Sequence, residues 1–489
     1  MGSQCLWVLR TILCTRASSG NGEGGMREKE AADYSEAERF LSEVPMFTTK
    51  NPLEETRGFY HFVQYEIHEE SLGKIIHVAG TNGKGSVCAF LNQVFLESGY
   101  HVGLFTSPHL VTTRERFMID GDMVSEDAFV EAFNWLFAKI NAYRALANDY
   151  TPTYFERLFF MGMYLFAKAE VEVTVLETGL GGRLDTTNVI KNPALCIITE
   201  IGLDHVAYLG DTIARIASEK AGIIKPNVPV VFLERKKEAS DVLTKKASEC
   251  GCVCHVVSKK DYKINEIKKK CIDFSVVSRY YDYDDVRHDD IRHVRMILNT
   301  SALYQAENAA IAVRACEVLM RECGFDRLHV KEGIEKMRWP GRMEEVVPNV
   351  YIDGAHNEDG IEAFVDSLKN AVDLESCILI FSVVKDKRYD KMIEQLCSLE
   401  MVTEFVLTHI PDERGAELRV LAEQFRDYTD KEIRVFEQIE DAVLYCLEKR
   451  NRLAQDIYIV GSLYLAGAVR ELLDYQNGVK RNALEGRKG

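Results

Sequence analysis

The chain has 489 residues, of which 46% are hydrophobic, and this is enough for two or three domains with substantial cores. Its formal net charge of −16 excludes broad, sequence-independent binding to nucleic acid, which needs a basic surface that displaces counterions. No apolar run has the length needed to span a bilayer, so we expect no membrane partner either. Any anionic ligand must be held by a local basic site.

The first 25 residues differ from the rest of the chain. Arg10 interrupts their apolar run, and no acidic residue occurs before Glu23. We expect residues 1–25 to be a disordered extension or the product of an upstream start, with an organelle-targeting peptide as the alternative. Met26 then begins an acidic, helix-forming segment.

Thirteen cysteines are scattered along the chain, mostly inside apolar runs, which is typical of reduced thiols in a cytoplasmic protein. Cys250, Cys252 and Cys254 form the one cluster, followed by His255. Their alternate spacing is typical of one strand face or a turn and differs from a CxxC pair. A structural role is therefore favoured, and a metal site is the alternative.

The clearest motif is HVAGTNGKGS, residues 77–86, which lies between a β-branched apolar run and apolar residues at helical spacing. This pattern predicts a strand, a glycine loop whose N–H groups surround phosphate oxygens, and a helix from Ser86. Lys84 adds a cation, and the Ser86 hydroxyl can hold Mg²⁺. Gly85 separates these two residues, so the loop departs from the Walker sequence. The residues predicted to bind the nucleotide are Gly80, Thr81, Asn82, Gly83, Lys84, Gly85 and Ser86. An ordinary glycine-rich turn is the alternative.

Residues 31–70 are predicted to be helical, and the helix after the glycine loop is predicted to end at Gly99. A strand over residues 101–105 then leads into TSPHL, residues 106–110, and the polar residues 114–116. Open α/β sheets bind ligands beyond the carboxyl ends of their strands, where TSPHL lies. A loop without function fits the spacing equally well.

Long amphipathic helices are predicted over residues 125–169, followed by a Val-rich strand over 171–176 that ends in Glu177. The glycine turn GLGGRLDTTN, residues 179–188, comes next. A carboxylate at the end of a buried strand is well placed to reach a metal beside the glycine loop.

The next strand, over residues 195–199, delivers Asp204 and His205 just past its end, and a later helix carries Lys220. With a further strand over 229–233, the alternation of strands and helices predicts a doubly wound, mostly parallel sheet. Antiparallel edge strands are predicted at about 260–303, followed by an Ala-rich helix that begins at Asn308.

A second α/β unit is predicted beyond the hinge at Trp339, Pro340 and Gly341. It has no phosphate loop, and its first strand ends in DGAHN, which places Asp353 and His356 where they can meet a ligand across a cleft. The predicted strands are 350–352, 377–383, 402–408, 433–436 and 456–460.

Nine strings in order resemble the Mur ligase superfamily, and specifically the folylpolyglutamate synthase and dihydrofolate synthase family. They are HVAGTNGKGS, LFTSPHL with the following ERF, LETGLGGRLDTTN, LDHVAYLGDT, SEKAGIIK, YQAENAA, WPGRME, IDGAHN and GSLYLAGAVR. The resemblance covers about residues 30–475. It implies a P-loop ATP-binding domain over 26–340 and a smaller Rossmann-like glutamate ligase domain over 341–489.

The resemblance implies ATP-dependent ligation of L-glutamate to dihydropteroate or a reduced folate through an acyl phosphate, by a chain that we expect to be a monomer. It implies two Mg²⁺ sites, one held by Ser86 and Glu177 and one by His205 and Lys220. Lys220 is expected to be carbamylated by CO₂, because a carbamate turns a cation into an oxygen ligand. A solvated helix charge is the alternative for Lys220.

The remaining roles also follow from the resemblance. Asn308 is implied to contact adenine and Arg342 a phosphate, while Asp353 and His356 meet the nucleotide and the reacting substrates. A structural histidine is the alternative for His356. The residues implied on the pterin side are Thr106, Ser107, Pro108, His109 and Asp185. Thr300, Ser301 and Ala302 replace the glycine usual before the YQ..N string, which leaves the geometry of the adenine-side loop open.

Three alternative functions stay open. The first is a single-activity member of the family, and Arg183 favours the bifunctional members over this one. The second is another Mur-type amino-acid ligase. The third is a non-catalytic nucleotide switch, against which Glu177, His205, Lys220 and Asp353 argue, because a switch needs no acid and imidazole facing the cleft from a second domain.

Overall fold

The computed structural model confirms the predicted α/β fold class, with two mostly parallel sheets and helices on both sides of each. The predicted extension over residues 1–25 lies outside the part of the chain that the structure describes. The described residues are 30–45, 51–146, 150–268, 270–278, 292–410, 414–453 and 455–485.

The first sheet has eight strands in the order β4-β3-β2-β5-β1-β6-β7-β8. Strands β2, β5, β1, β6, β7 and β8 are parallel, whereas β3 and β4 form an antiparallel edge that the sequence analysis missed. The strands are β1 (Lys74–Ala79), β2 (Val102–Phe105), β3 (Phe117–Ile119), β4 (Asp122–Met123), β5 (Val173–Glu177), β6 (Leu195–Ile198), β7 (Val230–Leu233) and β8 (Cys254–Val257).

Helices cover both faces of this sheet, so its central strands are near-continuous apolar runs with almost every residue buried. The helices are α1 (Tyr34–Ser42), α2 (Leu53–Val63), α3 (Lys84–Glu97), α4 (Glu126–Ala145), α5 (Tyr154–Ala169), α6 (Val206–Leu209), α7 (Ile213–Ala221), α8 (Lys237–Glu249), α9 (Tyr304–Glu322) and α10 (Val330–Lys336). Single 3₁₀ turns lie at Glu69–Leu72, Thr113–Arg116 and Thr186–Val189.

Two helices begin earlier than the sequence predicts. Helix α3 starts at Lys84, because Gly83 at φ 84° ends the loop and its carbonyl already accepts the N–H of Val87 at 2.9 Å. Helix α9 starts at Tyr304, where the N–H of Gln305 is held by Ala302 O at 2.9 Å. Both loops are therefore shorter than the apolar pattern alone indicates.

The predicted antiparallel strands form a separate three-stranded sheet in the order β11-β10-β9, which packs against α9. The strands are β9 (Tyr262–Lys268), β10 (Cys271–Ser278) and β11 (Arg292–Leu298).

The second α/β unit contains a six-stranded sheet in the order β12-β13-β17-β14-β15-β16. Only β12 is antiparallel, and the sequence analysis missed it because its four residues begin with two glutamates. The strands are β12 (Glu344–Val347), β13 (Val350–Ile352), β14 (Cys377–Phe381), β15 (Val402–Thr408), β16 (Glu432–Phe436) and β17 (Asp456–Val460). The helices are α11 (Glu358–Asn370), α12 (Tyr389–Cys397), α13 (Leu418–Tyr428), α14 (Ile439–Leu453) and α15 (Leu463–Glu485).

The cysteine cluster lies at the last strand of the first sheet. Cys250 and Cys252 belong to the turn before β8, Cys254 begins that strand, and all three pack against an apolar core. Within the described ranges, no group of three or more His, Cys, Asp or Glu side chains could hold a metal ion. The metal alternative for the cysteines therefore has no support there. The same ranges contain no helix long and apolar enough to cross a bilayer.

Candidate active site

The carboxyl ends of both parallel sheets face one cavity of about 450 Å³. Every residue that the sequence analysis singled out for catalysis, nucleotide or metal lines it. On the pterin side the exception is Thr106, which lines a neighbouring cavity behind the TSPHL segment. Residues more than 250 positions apart are thus brought to one place.

The glycine loop is tied to the end of strand β6. Thr81 N donates to Glu200 O at 2.7 Å, and Thr199 Oγ1 donates to Asn82 O at 2.6 Å. Lys84 Nζ donates to Thr81 O at 3.1 Å, across the mouth of the loop. These bonds fix the loop before any phosphate arrives, so its open N–H groups are already oriented.

Gly83 and Gly85 of the loop lie close to side chains from later parts of the chain. Gly83 has φ 84°, and a Cβ there would lie 2.4 Å from Asn308 Oδ1. A Cβ at Gly85 would lie 3.2 Å from Trp339 Nε1, which belongs to the predicted hinge. The extra glycine that separates this loop from the Walker sequence thus allows the hinge to pack closely against the loop.

Glu177 ends strand β5 with its side chain almost completely buried. Its Oε2 accepts the N–H of Ser107 at 2.9 Å, and its Oε1 lies 3.9 Å from Lys84 Nζ. Burial raises the pKa of Glu177, and the charge of Lys84 opposes that shift. Ser86, in the first turn of α3, lines the same cavity and accepts a bond from Gln305 Nε2 at 3.1 Å. This hard oxygen pair fits Mg²⁺, whose other ligands are commonly phosphate and water.

His205 and Lys220 belong to elements that follow β6 in the chain, and both line the cavity with the glycine loop. His205 adopts a left-handed conformation, φ 49°, at the start of the short helix α6. Lys220 is buried and donates to Gly80 O at 2.6 Å. Burial and the nearby Lys84 lower the pKa of Lys220 to about 7. A protonated lysine offers a metal no lone pair, so a second metal site here needs a modified Lys220.

In the second domain, Asp353 and His356 differ in how their polar atoms are engaged. Asp353 accepts three hydrogen bonds, from Tyr304 Oη at 2.5 Å, Met343 N at 2.9 Å and Ala355 N at 2.8 Å. His356 Nδ1 lies 2.7 Å from Gly354 O and so carries the proton, which leaves the Nε2 lone pair free. Burial and Lys387 lower the pKa of His356 to about 4, so the ring is neutral.

The nucleotide residues implied by the resemblance also lie in the cavity. Asn308 donates to Gln305 Oε1 at 3.0 Å and packs against Gly83. Arg342 lies over Gly354, where a Cβ would come within 2.4 Å of its Nη1. The glycine of the DGAHN string therefore makes room for the guanidinium of Arg342.

Among the residues predicted on the pterin side, Asp185 has its side-chain oxygens engaged within the protein. Asp185 is buried, and its oxygens accept Thr187 N at 3.1 Å, Thr187 Oγ1 at 2.6 Å and Leu180 N at 2.8 Å. It therefore shapes the glycine turn from within. Phe155 and Leu184 line the same side of the cavity and were not predicted, because aromatic and aliphatic residues in a helix or loop carry no signal of a ligand.

Three polar residues that the sequence analysis did not assign to the site connect the two domains. Asp204 Oδ1 accepts Lys387 Nζ at 2.6 Å, and its Oδ2 accepts Asn357 Nδ2 at 2.9 Å. Although burial favours the neutral acid, the neighbouring His356, His205 and Lys387 hold the pKa of Asp204 well below its usual range. In the sequence, the position of Lys387 beyond the carboxyl end of strand β14 was the signal that could have assigned it to the site.

Comparison with known proteins agrees with this geometry. Residues 78–316 match the Mur ligase middle domain, and residues 341–462 match the Mur ligase glutamate ligase domain. The chain is 32% identical over 418 residues to the dihydrofolate synthase/folylpolyglutamate synthase of Bacillus subtilis, covering 83% of this chain and 92% of that one. It is 32% identical over 405 residues to the folylpolyglutamate synthase of Lacticaseibacillus casei, covering 82% and 90%.

A solved structure shares the whole architecture. The folylpolyglutamate synthase of Mycobacterium tuberculosis, complexed with ADP and AMPPCP, superposes with a TM-score of 0.76 at 27% identity and covers 90% of this chain and 98% of its own. The two domain matches, the relatives and the cavity agree. The chain belongs to the folylpolyglutamate synthase and dihydrofolate synthase family of Mur ligases, which are ATP-dependent amide-forming ligases.

Proposed function

We propose that this chain ligates L-glutamate both to dihydropteroate and to reduced folates, using one cavity for the two reactions. The observation that carries this proposal is the meeting of a phosphate loop, a buried carboxylate at Glu177 and a neutral imidazole at His356 around one space. A nucleotide switch has no use for the last of these groups. Arg183, which ion-pairs with Glu219 at 2.8 Å, belongs to the glycine turn that favours the bifunctional interpretation.

The reaction has two steps. The loop N–H groups and Lys84 hold the phosphates of ATP while the substrate carboxylate attacks the γ-phosphorus and ADP leaves. The amine of glutamate then attacks the acyl phosphate, phosphate leaves, and an amide forms. Ser86 and Glu177 would hold Mg²⁺, which supplies neutralisation of the charge that builds up on the phosphoryl oxygens.

His356 is suited to the second step. Its Nε2 lone pair faces the gap between the domains, 3.7 Å from Asp204 Oδ2. A neutral imidazole can take the proton that the attacking amine must lose, and Asp204 stabilises the imidazolium that results. The acyl phosphate must be kept from water, which the approach of the two domains achieves.

Lys220 is proposed to carry a carbamate. The side chain is buried beside the phosphate loop, and His205 lines the same cavity. A carbamate would add two oxygen ligands there and complete a second Mg²⁺ site with His205. Carbamylation would also remove the positive charge of Lys220 near Lys84.

The pterin side is proposed to lie where Phe155, Leu184 and Asp185 line the cavity, close to Ser107, Pro108 and His109. An apolar wall with a few fixed polar groups suits a flat heteroaromatic ring. Asn308 and Arg342 are proposed to contact the nucleotide from the opposite end.

We also propose that the chain acts as a monomer in the cytoplasm. Every residue assigned to the reaction comes from one chain, and all of these residues line one cavity except Thr106. The cysteines of the described residues are free thiols, which suits a reducing compartment.

A paired-substrate assay tests the proposal. The purified chain is incubated with ATP, Mg²⁺ and L-glutamate, and with either dihydropteroate or tetrahydrofolate monoglutamate, while ADP release is followed. We expect glutamate-dependent ADP release with both. Release with one substrate alone would assign a single-activity ligase, and glutamate-independent release would contradict the ligase assignment.

A further inference from the structure

One buried cation in the cavity wall, Arg116, has no role in the proposed reaction. Arg116 ends the 3₁₀ turn Thr113–Arg116, immediately before β3, and only 5% of it is exposed. It lines the cavity beside Glu177 and the TSPHL segment. In the sequence it belongs to the polar residues 114–116, for which no role was assigned.

The guanidinium is held from one side only. Its Nε donates to His109 Nδ1 at 2.9 Å, and its Cζ lies 5.7 Å from the ring centroid of Tyr154. Among the described residues, no carboxylate oxygen lies within 4.0 Å of it, and Nη1 and Nη2 make no hydrogen bond. Two parallel N–H donors therefore remain available at the cavity wall.

The nearest acids are engaged elsewhere. Glu115 uses its carboxylate to accept the N–H groups of Leu110, Val111 and Thr112 at 2.7–2.8 Å. Glu177 accepts Ser107 N and lies 3.9 Å from Lys84. The charge of Arg116 is thus not neutralised by a direct partner, although a buried cation normally needs one.

His109 sets the orientation of this cation. Because Arg116 Nε donates to His109 Nδ1, that nitrogen carries the lone pair and the histidine proton sits on Nε2. Burial and the charge of Arg116 lower the pKa of His109 to about 3, so the ring keeps this role over the whole range of useful pH. His109 is a positioning residue for Arg116.

We propose that Arg116 binds a substrate carboxylate through Nη1 and Nη2, in the bidentate geometry that guanidinium and carboxylate groups share. This inference rests on the proposed function, in which both L-glutamate and the pteroyl substrate carry a carboxylate. Two sources offer this chemistry, the incoming L-glutamate and the pteroyl substrate. The bound carboxylate supplies the counter-charge that the protein itself does not place there.

Arg116→Met and Arg116→Lys test the assignment. We expect KM for the substrate that supplies the carboxylate to rise about 10-fold to 100-fold in both variants, because a charged bidentate contact is lost. Arg116→Met should keep or raise the melting temperature without ligands, since a buried charge is replaced by an apolar chain. Arg116→Lys keeps the charge and tests the fork geometry alone.

Arg114→Met is the matched control. Arg114 lies two residues away, donates to Val124 O at 3.1 Å and pairs with Glu126 at 3.4 Å, and it lines neither of the two cavities. We expect this variant to keep every KM of the wild type. His109→Phe, which removes the acceptor of Arg116 Nε, should raise the same KM that Arg116→Met raises.

The KM values measured for each substrate show whether the carboxylate comes from L-glutamate or from the pteroyl substrate. A rise in KM for L-glutamate alone assigns the incoming amino acid, and a rise for dihydropteroate or tetrahydrofolate alone assigns the pteroyl substrate. Unchanged KM for all of them in Arg116→Met, or a clear fall in its ligand-free melting temperature, would overturn the inference. If the wild type itself fails to ligate glutamate, the proposed function fails instead, so the two failures are distinguishable.

Discussion

The two walls of the cavity each place a buried carboxylate at the carboxyl end of a parallel strand, and the two carboxylates are in different states. Glu177, at the end of β5, accepts one backbone N–H and keeps Oε1 free of hydrogen bonds from the described residues. Asp353, just beyond β13, accepts three hydrogen bonds, one of them from Tyr304 of the first domain. Burial raises the pKa of both.

The hydrogen bonds of Glu177 and Asp353 indicate that the first carboxylate serves the reaction and the second holds the structure together. Glu177 has an oxygen available for a metal and a cation near it, which fits the proposed role of the first wall in holding the reacting phosphate. Asp353 joins the start of α9 to Met343 at the hinge, so in this conformation the second wall is held in position by its acid. The group that we propose to react on the second wall is the neutral His356, whose Nε2 is free. Substitutions in the two walls should therefore affect activity and stability differently.

Lys84→Ala should have the largest effect. Lys84 is the cation of the first wall, and we expect its loss to reduce ADP release about 1000-fold, because charge on the transferred phosphoryl group is no longer stabilised. The melting temperature should stay near that of the wild type, since Lys84 Nζ bonds one loop carbonyl and has no core role. Retained activity would contradict the phosphate assignment.

Lys220→Ala should lose activity to a similar degree and recover part of it when a short carboxylate such as acetate or propionate is added in place of the carbamate. Lys220→Arg is the control, because it keeps the charge and cannot form a stable carbamate. An unaltered rate in Lys220→Ala would remove the argument for a second metal.

The carbamate can also be detected without an activity assay. With ¹³C-bicarbonate, the wild type should show a carbamate carbon signal that Lys220→Ala lacks. Carbamate forms from the neutral amine, and the pKa of Lys220 is lowered to about 7. The signal should therefore grow as the pH rises from about 6 to about 8 at constant dissolved CO₂, since the neutral fraction increases through this range. No adduct at any pH would refute carbamylation.

Glu177→Gln and Asp353→Asn compare the two carboxylates directly, and both substitutions conserve shape. We expect Glu177→Gln to lower kcat about 100-fold, because the proposed Mg²⁺ site would lose a charged ligand. Its free energy of unfolding should be unchanged or higher, since a desolvated acid is replaced by a neutral amide. A large stability loss in Glu177→Gln would show that the first wall is structural.

Asp353→Asn should have the smallest effect on chemistry and a measurable effect on stability. One oxygen acceptor becomes a donor that faces Met343 N or Ala355 N, so we expect the free energy of unfolding to fall by about 1–3 kcal/mol. Urea denaturation measures this directly. An unchanged midpoint with a large loss of kcat would reverse the division between the two walls.

The sequence predicts the parallel sheets and most of the first wall for a simple reason. Carboxyl ends of parallel strands meet at one edge, so the glycine loop after β1, Glu177 at the end of β5 and His205 after β6 must be neighbours. Helix starts were less accurate, because the polar residues before the first apolar position of α3 and α9 also fit a helical turn. Strand β12 was missed because its glutamates disrupt the apolar pattern.

The parts of the site that could not be predicted depend on packing between distant segments. Asp204 and Lys387 are 183 positions apart and meet only because the domains approach each other. Arg116 is visible in the sequence as a charged residue, but its burial and its lack of a direct counter-charge are properties of the fold. The hydrogen bonds that engage Asp353 and Asp185 are likewise invisible in a motif.

The most direct test of the acyl phosphate mechanism follows the oxygen atoms of the substrate. Dihydropteroate labelled with ¹⁸O in both carboxylate oxygens is turned over with ATP and L-glutamate, and the released phosphate is examined by mass spectrometry. Attack of the carboxylate on ATP predicts one ¹⁸O in each phosphate and one in each amide. Unlabelled phosphate released together with the amide product would contradict the acyl phosphate, and with it the role assigned to the loop, Lys84 and Glu177.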